Sequence, residues 1–354
     1  MAIDIKKLLQ SVVSHGASDL HLVSRSEPQI RIDGTLKAVN LPVLTGEDIE
    51  EMTYALLTEK QKKSFEEHLE LDFALLLPGI GRFRANYYRT LGDIAAAFRI
   101  IPTEIPSLDD LNAPAIYKKL IKREKGLILV TGPTGSGKST TLSAMLNEIN
   151  LTEHKHIVTV EDPVEFIHQN KKCVFSHRET GSDTKSFSMA LKYAMRQDPD
   201  IILIGEMRDK ETIEAALTAA ETGHLVFGTL HTNSAPGTIN RIIDVFSGDE
   251  QGQIRTMIAG SLVGVISQML LPKVGGGRVA VPEIMIPNHA ISNLIREDKI
   301  HQIKSLMQLG QGESGMQTQT QVLLELVNKR VITKADALQY SNSPKELENN
   351  IGFR

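Results

Sequence analysis

The chain of 354 residues predicts an α/β fold in two parts: a small mixed α/β domain with antiparallel strands, then a parallel sheet covered by helices. Three observations carry this. The first hundred residues alternate apolar and polar side chains with a period near two in several runs. From about Ala115, apolar runs at 127–130, 157–160, 201–204 and 225–230 are separated by helical stretches, the signature of parallel strands buried on both faces. Between the first of these runs and the helical pattern at 142–149 stands Gly132-Pro133-Thr134-Gly135-Ser136-Gly137-Lys138-Ser139-Thr140, in the order strand, glycine-rich loop, helix.

In the N-terminal part, strands are predicted at 19–23, 29–32 and 35–39, with Asp33-Gly34 as a tight hairpin turn. Two helices follow. One opens at Thr45 with Ile49, Met52 and Leu56 on one side, and the next opens at Thr58 with Gln61 three residues on, a capping-box pattern. Strand signals return at 71–77, 81–88 and 94–101, the first two separated by Pro78-Gly79. The prolines Pro102, Pro106 and Pro114 mark a linker. Near Pro287 the β-type runs give way to helical periodicity, with Ile291, Leu294 and Ile295 on one face. The expected divisions are 1–101, a linker at 102–114, a P-loop core at 115–286 and a helical subdomain at 287–354.

With 41% hydrophobic and 23% charged residues, the composition is that of a folded globular chain. No run approaches the ~18 apolar residues needed to span a bilayer, and the start lacks a signal-peptide pattern, so a cytoplasmic protein is expected. Cys173 is the single cysteine, which excludes an internal disulfide and a cysteine-cluster zinc site. A net charge of −4, no tryptophan and no aromatic-basic stacking platform argue against a nucleic-acid motor. The basic run Lys118, Lys119, Lys122, Arg123 and Lys125 reads as a solvated helix face.

The glycine-rich loop is built to hold phosphate. Its glycines let backbone N–H groups wrap the anion, the following helix points its positive end at it, Lys138 reaches the β/γ-phosphates and the Ser139 hydroxyl can ligate Mg²⁺. Two acidic groups follow strands where a parallel sheet presents its ligand-facing residues. Glu161, in Glu161-Asp162, can orient or deprotonate the water that attacks the γ-phosphate; Glu206, after Ile201–Ile204 and Gly205, fits a Walker B position near Mg²⁺ or the lytic water. The alternative for each is a helix-capping or surface carboxylate. His224 and His231 flank the run 225–230, and each reads either as a polar sensor of the γ-phosphate or as a structural residue. Arg82 and Arg84 share a strand face, with Arg99 on the next strand; these arginines serve either to neutralise transition-state charge in a neighbouring subunit or as ion pairs on a solvated sheet.

Taken together, residues 132–140, Val160-Glu161-Asp162-Pro163-Val164-Glu165-Phe166, the stretch 204–209, and Ala220-Glu221-Thr222-Gly223-His224 through Gly228-Thr229-Leu230-His231-Thr232 resemble four motifs of the secretion-superfamily (GspE/PilT) traffic ATPases: Walker A, Asp box, Walker B and His box. The resemblance runs from Gly16-Ala17-Ser18-Asp19-Leu20-His21-Leu22 to Gly315-Met316-Gln317-Thr318 and is strongest to the branch that retracts type IV pili. Ala290-Ile291-Ser292-Asn293-Leu294-Ile295-Arg296-Glu297 is similar to the C-terminal signature of that branch, with Ser292 where the pattern has arginine. The single cysteine and a phosphate loop as early as Gly132 disfavour the pilus-assembly and type II secretion branches.

The resemblance implies a PAS-like N-terminal domain, a RecA-like ATPase domain, ATP and Mg²⁺ as cofactors, a homo-hexamer, and docking beneath an inner-membrane pilus platform protein. It further implies Glu161 as the catalytic carboxylate, Glu206 as the Walker B residue at the metal, His231 as a His-box residue, and Arg82, Arg84 and Arg99 as completing the site. The function expected is ATP hydrolysis that powers pilus retraction by changing the angle between the two domains. The rival reading, prompted by Ser292, is an accessory paralogue or nucleotide-gated scaffold assisting a primary motor.

Overall fold

The computed structural model describes residues 4–32, 34–101, 104–309 and 314–352. Two compact units divide the chain: Met1–Glu104 with Glu165–Ile167, and Ile105–Val164 with His168–Arg354.

In the first unit, helix α1 (Ile5–Ser14) is capped by Asp4, whose carboxylate accepts from the N–H groups of Lys6 (2.9 Å) and Lys7 (3.3 Å); Ile5, Leu8, Leu9 and Val12 form its buried stripe. Six strands, β1 (Asp19–Leu22), β2 (Gln29–Ile32), β3 (Thr35–Ala38), β4 (Glu70–Leu77), β5 (Gly81–Thr90) and β6 (Asp93–Ile101), pair antiparallel in the order β3-β2-β1-β6-β5-β4. The β2–β3 register joins Ile32 to Thr35 and Gly34 has φ 82°, the left-handed backbone a tight turn needs. Asp33 of that turn lies outside the described residues, as does Pro102 of the linker.

Helices α2 (Gly46–Tyr54) and α3 (Glu59–His68) both open on capping boxes, Thr45 with Asp48 and Thr58 with Gln61. Around the fully buried Tyr87, the rings of Phe65, Phe73 and Phe98 pack edge-on at 6.2, 5.2 and 5.8 Å, and the Tyr87 hydroxyl donates to Thr53 O at 3.3 Å. Aromatic edge packing of this kind adds roughly 0.5–1.5 kcal/mol per pair beyond burial.

The second unit runs α4 (Ile116–Leu120), β7 (Gly126–Thr131), α5 (Lys138–Thr152), β8 (His156–Glu161), β9 (Val174–Glu179), α6 (Phe187–Ala194), β10 (Ile201–Ile204), α7 (Lys210–Glu221), β11 (Leu225–Leu230), α8 (Ala235–Ile243), α9 (Gln251–Ser261), β12 (Leu262–Pro272) and β13 (Arg278–Met285). The helices α10 (His289–Arg296), α11 (Ile303–Leu309), α12 (Gln319–Asn328), α13 (Lys334–Tyr340) and α14 (Pro344–Gly352) follow. The sheet order is β13-β12-β7-β11-β10-β8-β9, parallel except for β13.

Alternate residues of the central strands feed two cores. Leu127, Leu129, Ile202, Ile204 and Val226 meet α7, α8 and α9; Ile128, Val130, Ile201, Leu203 and Phe227 meet the α5 residues Leu142, Met145, Leu146 and Ile149. The C-terminal helices pack Leu323, Ala337 and Leu347 on Leu271 and Val281 at the far end of the β12–β13 hairpin.

Two sequence expectations are corrected. Strands β9, β12 and β13 were not anticipated: β9 (Val-Phe-Ser-His-Arg-Glu) is a polar edge strand, and the β12–β13 hairpin sits where only parallel strands were expected. The basic run is no single helix face, because α4 stops at Leu120 and leaves Lys122, Arg123 and Lys125 beyond it; Lys118 pairs with Asp109 at 2.8 Å.

On the β8–β9 edge, His168 stacks on Phe175 with centroids 4.5 Å apart and is buried, with no hydrogen-bond partner for its Nδ1. Burial, with smaller effects from His177 and Lys171, pushes its pKa down to about 3. A depressed imidazole pKa means that the unfolded chain binds the extra proton, so this contribution is complete above the unfolded value near 6.5 and is lost as pH falls below it. Between pH 6.5 and 5 the loss is up to about 2 kcal/mol. His168→Phe keeps the stack and removes the titration, so urea midpoints measured at pH 7 and pH 5 should differ less in the variant than in the parent.

Candidate functional site

The carboxyl ends of β7, β11, β10 and β8 lie side by side, with Thr131 level with Leu230, and Ile204 level with both Gly228 and Val160. Four functional segments therefore emerge along one edge in the order phosphate loop, His231, Glu206, Glu161. The edge spans three strand spacings, about 14 Å.

The phosphate loop occupies the turn from β7 into α5. Gly132, Gly135 and Gly137 have φ of 141°, 77° and 85°, a backbone other residues adopt only with strain. A Cβ at Gly132 would collide with the Gln268 carbonyl oxygen, whereas one at Gly135 would meet nothing within 4 Å, so Gly135 is the exposed lip. Gly137 begins the 15-residue helix α5 with no side-chain cap, which leaves the first-turn N–H groups directed at the loop. Lys138 Nζ donates to Gly132 O (2.9 Å) and Pro133 O (3.1 Å), and the buried Ser136 Oγ has no hydrogen-bond partner. An orphaned hydroxyl in a positive-φ cradle at a helix N-terminus fits a nucleotide phosphate. Pro133 and Thr134 are exposed, and Ser139 and Thr140 lie half-buried in the first turn of α5.

Glu206 is half-buried after β10. Its Oε1 accepts from His231 Nε2 at 3.1 Å and also from Arg208 Nε. Burial alone would raise this carboxyl, but the Arg208 and His231 contacts outweigh it and hold it below the ordinary glutamate value. Glu161 is buried at the end of β8, and Gly205, whose N–H donates to Val160 O at 2.7 Å, packs against the Glu161 backbone. A Cβ at 205 would come within 3.1 Å of Glu161 Cα, so a larger residue there would press on the Glu161 backbone.

Of the two histidines, only His231 joins this cluster. His224 stands at the opposite end of β11, its Nδ1 hydrogen-bonded to Ala219 O at 3.0 Å where α7 ends, so the structural alternative describes it. In the first unit, Arg84 and Arg99 are directly opposed on β5 and β6 and pair with Asp72 (3.3 Å) and Asp19 (2.8 Å); Arg82, opposite Ile101, is buried.

Gln268 and Arg208 were missed by the sequence reading. Gln268, buried on β12, donates from Nε2 to Ser136 O (2.7 Å) and accepts at Oε1 from Thr141 Oγ1 (2.9 Å), bracing the middle of the phosphate loop and the first turn of α5. No motif announces a residue that far along the chain, although an amide inside an otherwise apolar strand was a visible anomaly. Arg208, two residues beyond Glu206, lies inside the stretch 204–209, where spacing alone assigns it no role.

The profile of the Type II/IV secretion system protein family matches residues 1–276, and the chain belongs to this family. Among its relatives is the type IV pilus retraction ATPase PilT of Pseudomonas aeruginosa, 50% identical over 342 residues that cover 97% of this chain and 99% of that one. The type IV pilus ATPase PilU of the same organism is 39% identical over 345 residues, 97% of this chain and 90% of that one. A crystal structure of the pilus retraction motor PilT with bound ADP superposes with a TM-score of 0.92 at 49% identity, covering 98% of this chain and 99% of that one.

Gln268→Leu removes both loop contacts and leaves the Ser136 carbonyl and Thr141 hydroxyl without this partner. Each such loss costs about 1–3 kcal/mol. The dissociation constants of ATP and ADP should both rise at least about tenfold; equilibrium titration with a fluorescent nucleotide checks this, and unchanged affinity would remove Gln268 from the site.

Proposed function

We propose that this chain is an ATP-hydrolysing motor that powers type IV pilus retraction, acting as a homo-hexamer at the cytoplasmic face beneath an inner-membrane platform protein. The observation that carries this reading is the single sheet edge bearing phosphate loop, His231–Glu206 pair and Glu161, in a chain 50% identical over 97% of its length to a pilus retraction ATPase. No helix among the described residues is long and apolar enough to cross a membrane.

Each residue has a task on this reading. The loop backbone of Gly132, Pro133, Thr134, Gly135, Ser136 and Gly137, with the α5 N-terminus, binds the phosphates, and Lys138 balances their charge. Ser139 and Glu206 would hold Mg²⁺, which would supply charge neutralisation at the phosphates. Thr140 follows in the first turn. Glu161 orients the attacking water and accepts its proton, and His231 reports the state of the γ-phosphate through Glu206. Arg82, Arg84 and Arg99 neutralise developing charge from a neighbouring subunit.

The N-terminal domain is PAS-like and the core at 115–286 RecA-like, followed by a helical subdomain at 287–354. Differential affinity for ATP and ADP changes the angle of the two domains across the linker at 102–114. The second reading, an accessory paralogue, rests on Ser292, which is half-buried in α10 and donates its backbone N–H to Asn288 O at 2.9 Å. The identity of 50% to PilT against 39% to PilU favours the motor.

Steady-state phosphate release tests the assignment. Glu161→Gln should bind Mg-ATP within about twofold of the parent and lose at least ~10²-fold in turnover, the scale of one general base. An active Glu161→Gln protein would overturn the role. Turnover per subunit should also fall on dilution below the assembly concentration; undiminished activity of a monomer would remove the need for arginines from a neighbour.

A further inference from the structure

The segment that leads from His231 into α8 is held by residues far along the chain. Asn342, between α13 and α14, donates from Nδ2 to Asn233 O at 2.7 Å. Ala235 N, the first N–H of α8, donates to Glu283 Oε1 at 2.8 Å, and Gln319 N, the first of α12, donates to Glu283 Oε2 at 3.4 Å. Glu283 is only 6% exposed, and two helix N-termini converge on its one carboxylate. Gln319 closes the circuit. Its Oε1 accepts from Asn342 N at 2.7 Å and its Nε2 donates to Tyr340 O at 3.4 Å. Lys304 ties the same turn down through Ser343 Oγ (2.9 Å) and Glu346 (2.6 Å).

An acidic side chain buried this deeply is costly unless its lone pairs are met, and here they are met by the starts of α8 and α12. Displacing either helix leaves the carboxylate short of a partner. The two helices are therefore tied to each other through it, and the His231 loop is tied to both.

We propose that Glu283 and Asn342 are positioning residues that set the loop after His231, so that the C-terminal helices α12–α14 move with the nucleotide state of the site. The inference rests on the reading of the site as an ATPase and adds to it a mechanical route: from the Glu206–His231 pair, through Asn233 and Ala235, to Gln319 and the α13–α14 turn. Any body seated on α12–α14 acts on hydrolysis by the same route, since coupling between sites is reciprocal.

Hydrogen–deuterium exchange on the full chain, with and without the non-hydrolysable analogue AMP-PNP, tests this in Glu283→Gln and Asn342→Ala beside the parent. In Glu283→Gln the amide keeps the shape but accepts only one of the two N–H bonds; Asn342→Ala alters an exposed side chain and leaves the core intact. Without nucleotide, exchange over residues 231–240 should speed up in both variants. With AMP-PNP, the parent should gain protection over Gln319–Asn328 and Lys334–Tyr340, and that gain should vanish in the variants. Phosphate release should show kcat down about tenfold with the KM for ATP within about twofold, a split that general destabilisation does not produce. Nucleotide-free exchange over 231–240 equal to the parent's in both variants would overturn the proposal, as would AMP-PNP protection that persists in both. A parent chain that binds no nucleotide would defeat the ATPase reading instead, and the nucleotide-free comparison would still decide the positioning role.

Discussion

Parallel pairing of β7, β11, β10 and β8 is the constraint on which the rest depends, because it forces the four carboxyl ends onto one edge. Residues separated by up to a hundred positions in sequence become neighbours once that register is set. The register is in turn held by strands buried on both faces, with alternate side chains committed to the α7–α9 core or to the α5 core. A one-residue slip in any of them would exchange those cores and move Glu161, Glu206 or His231 off the edge.

Charge at the site is arranged so that no acidic group is buried without a partner among those described. Glu206 sits between Arg208 and His231, and Glu283 sits between the starts of α8 and α12. Burial pushes the Glu283 carboxyl up while the two N–H groups and Lys304 pull it down, with burial the larger effect. Glu206, less buried, ends below its ordinary value. The two glutamates thus differ in role for a physical reason: one is poised as an anion at an accessible edge, the other is a structural acceptor inside the fold.

Much of this was legible in the sequence, for identifiable reasons. The glycine-rich loop announces itself because its backbone conformation admits few other residues, and Gly132, Gly135 and Gly137 do adopt it. The helix start at Thr45 and the capping box of Thr58 with Gln61 are local patterns and were readable as such, whereas the box that Thr45 forms with Asp48 emerged from the structure. What stayed hidden was set by tertiary contact. Gln268 matters only because β12 lies against β7, a tertiary pairing that the glycine turn Gly275-Gly276-Gly277 into β13, with φ of 87°, 100° and 77°, does not specify. Asn342 is an ordinary exposed polar residue until the α13–α14 turn reaches Asn233. The pairing of Arg84 with Asp72 and of Arg99 with Asp19 likewise follows from strand order rather than from spacing.

The central claim is that hydrolysis at this edge drives pilus retraction, and a count of surface pili by electron microscopy tests it most directly. Cells lacking the gene are compared with cells complemented by the parent chain or by Glu206→Gln. The account predicts excess surface pili in the deletion and in Glu206→Gln, restored to the ordinary number by the parent. Few or no pili in the deletion would contradict it by indicating assembly, and an unchanged count would contradict it in favour of an accessory role.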